Sequence, residues 1–243
     1  MKLVYVILDG LGDRPIKALK NRTPLEAAKK NHFDELAMKS KLGRIWTVSK
    51  NIAPESDAAT IALFGYNPFE CYSGRGPLEA SGIGIKLRKN EIAIRCNFAL
   101  EKKGLVQNVE ADITDKQGSE LATFINKSIK TIDGIKIKFR HTVGYRAVLI
   151  LQGKDLSANI SNTHPGYRIY KNFVSEALPA RANVPVQTCK PLDGTQEAVK
   201  TALVVSKLLG KTKGLLENYH LRSKSNVILT RGAGSELPKL AKL

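Results

Sequence analysis

Two residues in the first quarter of the chain could hold a metal ion and an activated hydroxyl. Asp9 follows the apolar run of residues 3–8. A carboxylate at the tip of a buried strand is a hard-oxygen ligand for a divalent metal, although such a residue also caps turns. Ser56 follows Glu55 and precedes a predicted helix, whose free N–H groups favour negative charge. Ser56 is therefore either an N-cap or a nucleophile, and a neighbouring metal would activate it further.

Basic and imidazole side chains add the chemistry of anion binding. Arginine forks bind carboxylates and phosphates through parallel hydrogen bonds. Each candidate arginine stands beside a predicted strand or a glycine-rich turn, and a phosphorylated acid would require such a set. The candidates are Arg75, Arg95, Arg146 and Arg222, joined by His164 in the polar turn Asn162-Thr163-His164-Pro165. The other three histidines have no histidine partner at metal-ligand spacing.

The elements that must position Asp9 and Ser56 form an α/β pattern. The β-branched apolar run of residues 3–8 predicts a buried parallel strand, and ligands gather at the carboxyl ends of such strands. Thr23-Pro24-Leu25-Glu26 predicts a helix start. Residues 44–49 predict a second strand, and residues 56–64 predict the helix that presents the serine.

A different pattern begins at the glycine-rich segment 73–84. Alternating apolar residues there predict strands, and apolar residues at helical spacing predict helices, so an α+β module is expected. The predicted strands are residues 91–99, 136–139 and 146–151, and the predicted helices are residues 119–131 and 195–209.

The carboxyl-terminal segment returns to the first pattern. A buried-strand run that meets a glycine turn leads us to expect Val227–Thr230 in the same sheet as Leu3–Leu8. Residues 1–74 and 223–243 would then form one α/β domain, into which residues 75–222 are inserted.

Composition limits the class of protein. The 243 residues include 39 Lys or Arg and 22 Asp or Glu, a formal charge of +17. With 42% apolar and 25% charged residues the chain has the composition of a folded globular protein. The basic residues are scattered and no nucleic-acid-binding motif accompanies them, so we expect solvated lysine faces or a field that attracts a small phosphorylated anion rather than a nucleic acid.

Cysteine usage and hydropathy point to a cytoplasmic protein. The three cysteines are far apart and have no CxxC spacing, which disfavours a disulfide framework or a structural zinc site. The longest apolar runs have strand length, whereas a membrane span needs about 20 apolar residues, and the first run reaches Asp9 too soon for a secretory signal. We therefore expect no membrane association.

Seven stretches, in this order, resemble the archaeal-type 2,3-bisphosphoglycerate-independent phosphoglycerate mutases of the alkaline-phosphatase superfamily. They extend over the whole chain, and their combination is far more specific than any single one. The stretches are Ile7–Pro15, Thr23–Ala28, Pro54–Ala59, Leu63–Pro68, Gly74–Ala80, Arg95–Ala99 and Asn226–Gly234.

The resemblance implies an α/β alkaline-phosphatase-like metalloenzyme domain, here partial, with an inserted α+β substrate domain. It implies Asp9 as a metal ligand and Ser56 as the nucleophile, also bound to metal. A phosphoserine would carry the phosphoryl group between 3-phosphoglycerate and 2-phosphoglycerate, a step of glycolysis and gluconeogenesis. Two divalent ions (Mn, Co, Zn or Mg) would assist, and 2,3-bisphosphoglycerate would not be needed. The implied substrate-binding residues are Arg75, Arg95, Arg146, His164 and Arg222.

The sequence departs from the family pattern at several places. Glu55 stands where relatives have Gly, residues 109–115 replace an arginine-rich run, and residues 162–165 replace Asp-Thr-Asp-Pro. Relatives also continue beyond the turn at residues 231–234 and supply further Asp and His ligands there, so we expect the 243 residues alone to be inactive. A related phosphatase or phosphomutase, or an inactive binding module, remains an alternative.

Overall fold

The computed structural model describes residues 2, 4–8, 10–179 and 183–241, which divide into two compact units between Trp46 and Thr47. The first unit is helical where it is regular. A capping box, in which the Thr23 side chain and the Glu26 side chain each bond the other residue's backbone N–H, starts its first α-helix. Its helices are a 3₁₀ turn at Lys17–Leu19, α1 (Pro24–Ala27) and α2 (Asn31–Met38).

Two strands predicted from apolar runs are absent from their expected places. Residues 4–8 and residues 44–49 adopt no strand, so both predictions are wrong for the described residues. Val4 is 81% exposed and Val6 is 72% exposed. An apolar run becomes a strand only where a neighbouring strand completes its backbone hydrogen bonds, and sequence alone does not supply that neighbour.

The second unit is built on an antiparallel sheet whose long central strand, β1, is Glu91–Lys102. Residues 91–99 of β1 are all buried, because helices cover the sheet around them. The strand order is β3-β4-β5-β1-β2-β8, with β9 also paired to β1, and β6 pairs with β7 in a separate hairpin. The remaining strands are β2 (Leu105–Asn108), β3 (Thr131–Ile132), β4 (Ile135–His141), β5 (Arg146–Gln152), β6 (Tyr167–Lys171), β7 (Val174–Ala177), β8 (Val184–Pro185) and β9 (Val227–Gly234).

The pairing of β9 corrects one prediction. Val227–Thr230 lies antiparallel to β1, opposite residues 96–99, whereas the described residues 4–8 of the first apolar run form no strand with which it could pair. Every residue of β9 is buried, so it needs a partner on a covered sheet, and β1 provides one. The division into a domain of residues 1–74 and 223–243 with an insert between them stays a prediction.

Two amphipathic helices cover the sheet and confirm the helical periodicity read from the sequence. They are α6 (Asp115–Ser128), which begins four residues and ends three residues before the predicted bounds, and α7 (Gln196–Glu217), which continues eight residues beyond its predicted end. Thr114 and Thr195 cap them at their amino ends. The main core lies between these helices and the sheet, and its largest members include Phe98, Phe139, Leu121, Ile125, Leu149, Leu151, Leu216 and Ile228.

Three shorter helices lie beside the cleft described below: α3 (Ser56–Leu63), α4 (Pro68–Cys71) and α5 (Arg75–Gly82). The helix α5 sits directly on the backbone of β1 because Gly76 carries no side chain. A Cβ at Gly76 would lie only 2.1 Å from the carbonyl oxygen of Ala93. Gly74, with φ of +98°, starts the helix and approaches Ala233 of β9 equally closely.

The three cysteines are free, as expected from their spacing. Burial raises the pKa of the Cys96 and Cys189 thiols to about 12, so both are inert structural thiols. Among the described residues, no helix is long and apolar enough to cross a membrane.

Candidate functional site

A cleft of about 960 Å³ in the second unit brings together most of the residues singled out from the sequence. Ser56, from the amino end of α3, shares its lining with side chains from β1, β5 and the segment before β6. The predicted residues that line it are Ser56, Arg75, Arg95, Arg146 and His164.

Ser56 is the first residue of α3, and Glu55 is the N-cap. The sequence predicted the serine itself at the cap position. Two backbone hydrogen bonds to β7 hold the preceding loop, from Ala177 N–H to the Ala53 oxygen (2.7 Å) and from Glu55 N–H to the Ser175 oxygen (3.4 Å). The hydroxyl therefore lies at a fixed helix terminus, where the helix dipole stabilises negative charge.

A buried network of charges joins this helix to the deep side of the cleft. Asp57 accepts a hydrogen bond from the Tyr72 hydroxyl and pairs with the Arg75 guanidinium at 3.4 Å. Arg75 Nε also donates to Glu79 at 2.9 Å. The same Glu79 oxygen accepts from Arg95, so one carboxylate holds two cations.

Burial and neighbouring carboxylates shift the pKa values of these two guanidiniums in opposite directions. Burial lowers the pKa of Arg95, a residue only 2% exposed, although Glu79 opposes the shift. Burial also opposes the charge of Arg75, but Asp57 and Glu79 outweigh it and raise its pKa. Both guanidiniums remain charged, because arginine starts from a pKa above 12.

The imidazole of His164 lies beside Arg95 and is 3% exposed, so it is buried rather than in an open polar turn. Its Nδ1 accepts a hydrogen bond from the Gly166 N–H at 3.1 Å. Burial, and then the charge of Arg95, lower the pKa of His164 to about 4. We call Arg75, Glu79, Arg95, Asn97 and His164 the cleft floor.

Arg231 is a functional candidate that the sequence analysis did not select. It forms a buried ion pair with Glu55 and lies 4.0 Å from the centre of the Tyr167 ring. Burial lowers the pKa of Arg231 to about 10, and its Nε has no hydrogen-bond partner among the residues described. The position of Arg231 at the glycine turn of a buried strand was the signal that could have found it.

Another part of the cleft lining is more open. Arg146, at the start of β5, has its guanidinium 5.5 Å from the Tyr145 ring centre. The Tyr145 hydroxyl donates to Glu110 at 2.7 Å. Arg168, also missed from the sequence, pairs with Glu176. We call Glu110, Tyr145, Arg146 and Arg168 the cleft rim.

Two predicted residues are not in this arrangement. Arg222 is exposed to solvent in the turn after α7 and does not line the cleft, so the strand that follows it does not bring its side chain to the site. Asp9 lies outside the described residues, so its role as a metal ligand stays a prediction. Among the residues that are described, no three His, Cys, Asp or Glu side chains come together to hold a metal ion.

Comparison with known proteins gives one consistent result. The profile of the 2,3-bisphosphoglycerate-independent phosphoglycerate mutase family matches residues 37–221. A mutase of that description from Methanocaldococcus jannaschii is 38% identical and covers 99% of this chain, and one from Ignicoccus hospitalis is 33% identical and covers all of it. This chain spans 56% and 58% of those two relatives, a little over half of their length.

Solved structures agree with the sequence relatives. The cofactor-independent phosphoglycerate mutase from Thermoplasma acidophilum matches with a TM-score of 0.56 and 28% identity, over 97% of this chain and 59% of that one. The PH0037 protein from Pyrococcus horikoshii matches with a TM-score of 0.60 and 27% identity, over 96% of this chain and 51% of its own.

Proposed function

Because this chain belongs to the 2,3-bisphosphoglycerate-independent phosphoglycerate mutase family, we propose that its cleft binds a phosphoglycerate and that Ser56 carries the phosphoryl group between the two hydroxyls of glycerate. One observation carries the proposal. The hydroxyl of Ser56, at a helix amino end, lines the same cleft as five arginines, which are Arg75, Arg95, Arg146, Arg168 and Arg231.

The charges of the cleft suit a substrate with a phosphate and a carboxylate. Arg75 pairs with Asp57 and Glu79, and Arg95 pairs with the same Glu79 oxygen, so two carboxylates hold these two guanidiniums at the cleft. No carboxylate of the described chain forms an ion pair with Arg146. Guanidiniums that keep net charge in a partly desolvated cleft bind phosphate and carboxylate oxygens well.

The proposed reaction uses Ser56 in two steps. The Ser56 oxygen loses its proton and attacks the phosphorus of 3-phosphoglycerate, and the departing 3-oxygen of glycerate takes up a proton. Glycerate stays bound through the arginines. After reorientation its 2-hydroxyl loses a proton and attacks the phosphoserine, which releases the Ser56 oxygen and forms 2-phosphoglycerate. The amino end of α3 stabilises the negative charge that develops at Ser56.

Divalent ions belong to the same proposal. We infer that Asp9 and Ser56 contribute ligands to the Mn, Co, Zn or Mg ions expected from the family, and such ions lower the pKa of a bound hydroxyl. The described residues add no further ligand group, so we derive no step of the reaction through the metal.

Replacement of the nucleophile tests the proposed reaction. In the native protein, Ser56→Ala should abolish conversion of 3-phosphoglycerate to 2-phosphoglycerate, followed by phosphorus NMR, and should remove the phosphopeptide that contains residue 56. Because Glu55 rather than Ser56 is the N-cap, the free energy of unfolding should change by only about 0.5 kcal/mol. The matched control is Ser223→Ala, in the exposed turn after α7, which should keep the parental rate.

Two results would contradict the proposal. Parental mutase activity in Ser56→Ala would show that another group carries the phosphoryl. Release of inorganic phosphate without 2-phosphoglycerate would show that water accepts the phosphoryl group, as in a phosphatase of the same superfamily.

A further inference from the structure

The hydrogen bonds around His164 fix which of its ring nitrogens carries the proton. The Gly166 N–H donates to Nδ1 at 3.1 Å, so Nδ1 must offer a lone pair. A neutral imidazole then carries its proton on Nε2. Gly166 permits this approach, because a Cβ at that position would lie 3.2 Å from Cε1 and 3.3 Å from Nδ1 of the ring.

The proton on Nε2 has no acceptor among the residues that the structure describes. The polar atom that lies within hydrogen-bonding distance of Nε2 is Asn97 Nδ2, at 3.5 Å. The Asn97 amide cannot be turned over, because its Nδ2 donates to the Val109 oxygen at 3.0 Å and its Oδ1 accepts from Arg95 Nε at 3.2 Å. Two donors therefore face each other, and the His164 N–H remains unsatisfied until a ligand arrives.

The position of His164 makes a ligand oxygen the natural acceptor. The residue is 3% exposed and yet lines the cleft, next to Arg95. The Tyr167 ring packs edge-on against the imidazole, with ring centres 5.0 Å apart. The other polar group near the imidazole is Asn97, and the charge of Arg95 from β1 also acts on it. The guanidinium of Arg231 lies over the ring of Tyr167. None of them accepts a hydrogen bond from Nε2.

We propose that His164 binds the substrate as an uncharged hydrogen-bond donor, presenting Nε2–H to an anionic oxygen of phosphoglycerate, and that Gly166 sets this tautomer through its backbone N–H. The inference rests on the proposed function, because it assumes that the cleft takes a phosphorylated acid. The proposal gives His164 a role in substrate specificity. Its fixed N–H, like the N–H groups of the neighbouring arginines, binds a ligand oxygen that accepts a hydrogen bond and rejects a ligand group that can only donate one.

An uncharged donor has a definite advantage in this place. A second proton on His164 would add a positive charge beside the buried guanidinium of Arg95, which shares the carboxylate of Glu79 with Arg75. The low pKa of His164 keeps the ring neutral at the pH of the cell. The ring therefore adds direction to ligand binding without adding charge repulsion to the empty cleft.

The tautomer can be tested without any ligand. In a proton–nitrogen correlation spectrum of the full chain, the His164 signals should show an unprotonated Nδ1 and a protonated Nε2, unchanged from pH 8 to pH 5.5. The signals are assigned by their loss in His164→Gln. A protonated Nδ1, or a titration near pH 6.5, would overturn the inference while leaving the proposed function intact.

Calorimetric titration with 3-phosphoglycerate tests the contact. His164→Gln keeps an N–H donor and should bind within a few-fold of the parent, whereas His164→Leu should bind about 10- to 100-fold more weakly, as expected for loss of a hydrogen bond to a charged group. Gly166→Ala should weaken binding in the same direction and disturb the His164 spectrum, although the histidine is retained. The matched control is His220→Gln, which removes a histidine outside the cleft.

The outcomes separate the two proposals. If the parent chain fails to bind 3-phosphoglycerate, the proposed function fails and the assigned contact fails with it. If the parent binds and His164→Leu binds equally well, only the inference about His164 is wrong. The near-ultraviolet circular dichroism of each variant, compared with that of His220→Gln, shows whether it has folded.

Discussion

The floor and the rim of the cleft present the same type of side chain in opposite settings. On the floor, Arg95 is 2% exposed and pairs with Glu79, whose side chain is 11% exposed. On the rim, the Arg168 side chain is 67% exposed although it also pairs with a carboxylate. Buried charges depend on their partners, whereas exposed charges are stabilised by water. We therefore expect the stability of the floor to depend on its carboxylate more strongly than that of the rim does.

The sharpest test of this contrast is removal of the shared carboxylate. Glu79→Ala leaves two guanidiniums with reduced compensation, and we expect it to lower the free energy of unfolding by about 3–5 kcal/mol in urea denaturation. Glu176→Ala, which removes the partner of an exposed arginine, should cost about 1 kcal/mol or less. Equal losses in the two variants would mean that burial does not distinguish floor from rim.

The second test changes pH instead of sequence. Burial and Arg95 hold the pKa of His164 at about 4, below its ordinary value of 6.5. As pH falls through 6.5, the unfolded chain takes up this proton before the folded chain does. Stability is therefore lost between about pH 6.5 and pH 4, to a total of about 3 kcal/mol.

The measurement for this pH effect is a difference between two proteins. The urea midpoints of the parent and of His164→Gln are compared from pH 8 to pH 4, so that titration of all other groups cancels. The parent should lose more stability than the variant over this range. Parallel curves would show that the floor imidazole is solvated like a group on the rim.

The smallest expected effect belongs to the rim. Arg146→Gln removes a cation that has no carboxylate partner among the described residues, so it should change the free energy of unfolding by less than about 0.5 kcal/mol. Binding of 3-phosphoglycerate should weaken about 10-fold, and added salt should reduce the difference. Arg168→Gln serves as the comparison, because Glu176 already offsets that charge. A large loss of stability in Arg146→Gln would place this residue with the floor.

Local patterns in the sequence predicted the parts of the fold that depend on local chemistry. The helices α6 and α7 follow from the spacing of their apolar residues, and the strands β1 and β5 follow from the alternating apolar pattern. The apolar run at residues 3–8 has the same composition and formed no strand in its described part. A strand forms only beside another strand, which can be distant in sequence, and the composition of the first strand does not identify the second.

In the candidate site, too, residues placed by local sequence were predicted, whereas residues placed by long-range pairing were not. Ser56 and three of the four predicted arginines line the cleft. Each arginine was selected because it stands beside a predicted strand or a glycine-rich turn; Arg75 and Arg146 begin α5 and β5, whereas Arg95 lies inside β1. Arg222 satisfied the same local rule and lies elsewhere. Arg231 was missed because its place beside the floor is created by the pairing of β9 with β1. The burial of His164 also could not be read from its polar neighbours, because tertiary packing covers it.

The pairing of β9 with β1 affects when, during synthesis and folding, the chain becomes able to bind its ligand. Arg95 and Arg231 lie directly opposite each other across the ladder, and the nearby bond from Glu101 N–H to Asn226 joins residues 125 positions apart. Loops of this length close slowly compared with the adjacent hairpin of β4 and β5. We therefore expect the nascent chain to form the β4–β5 hairpin before β9 pairs with β1 and brings Arg231 to the cleft. Full anion binding should then appear only after this late pairing, and it should report completed folding more strictly than helix content does.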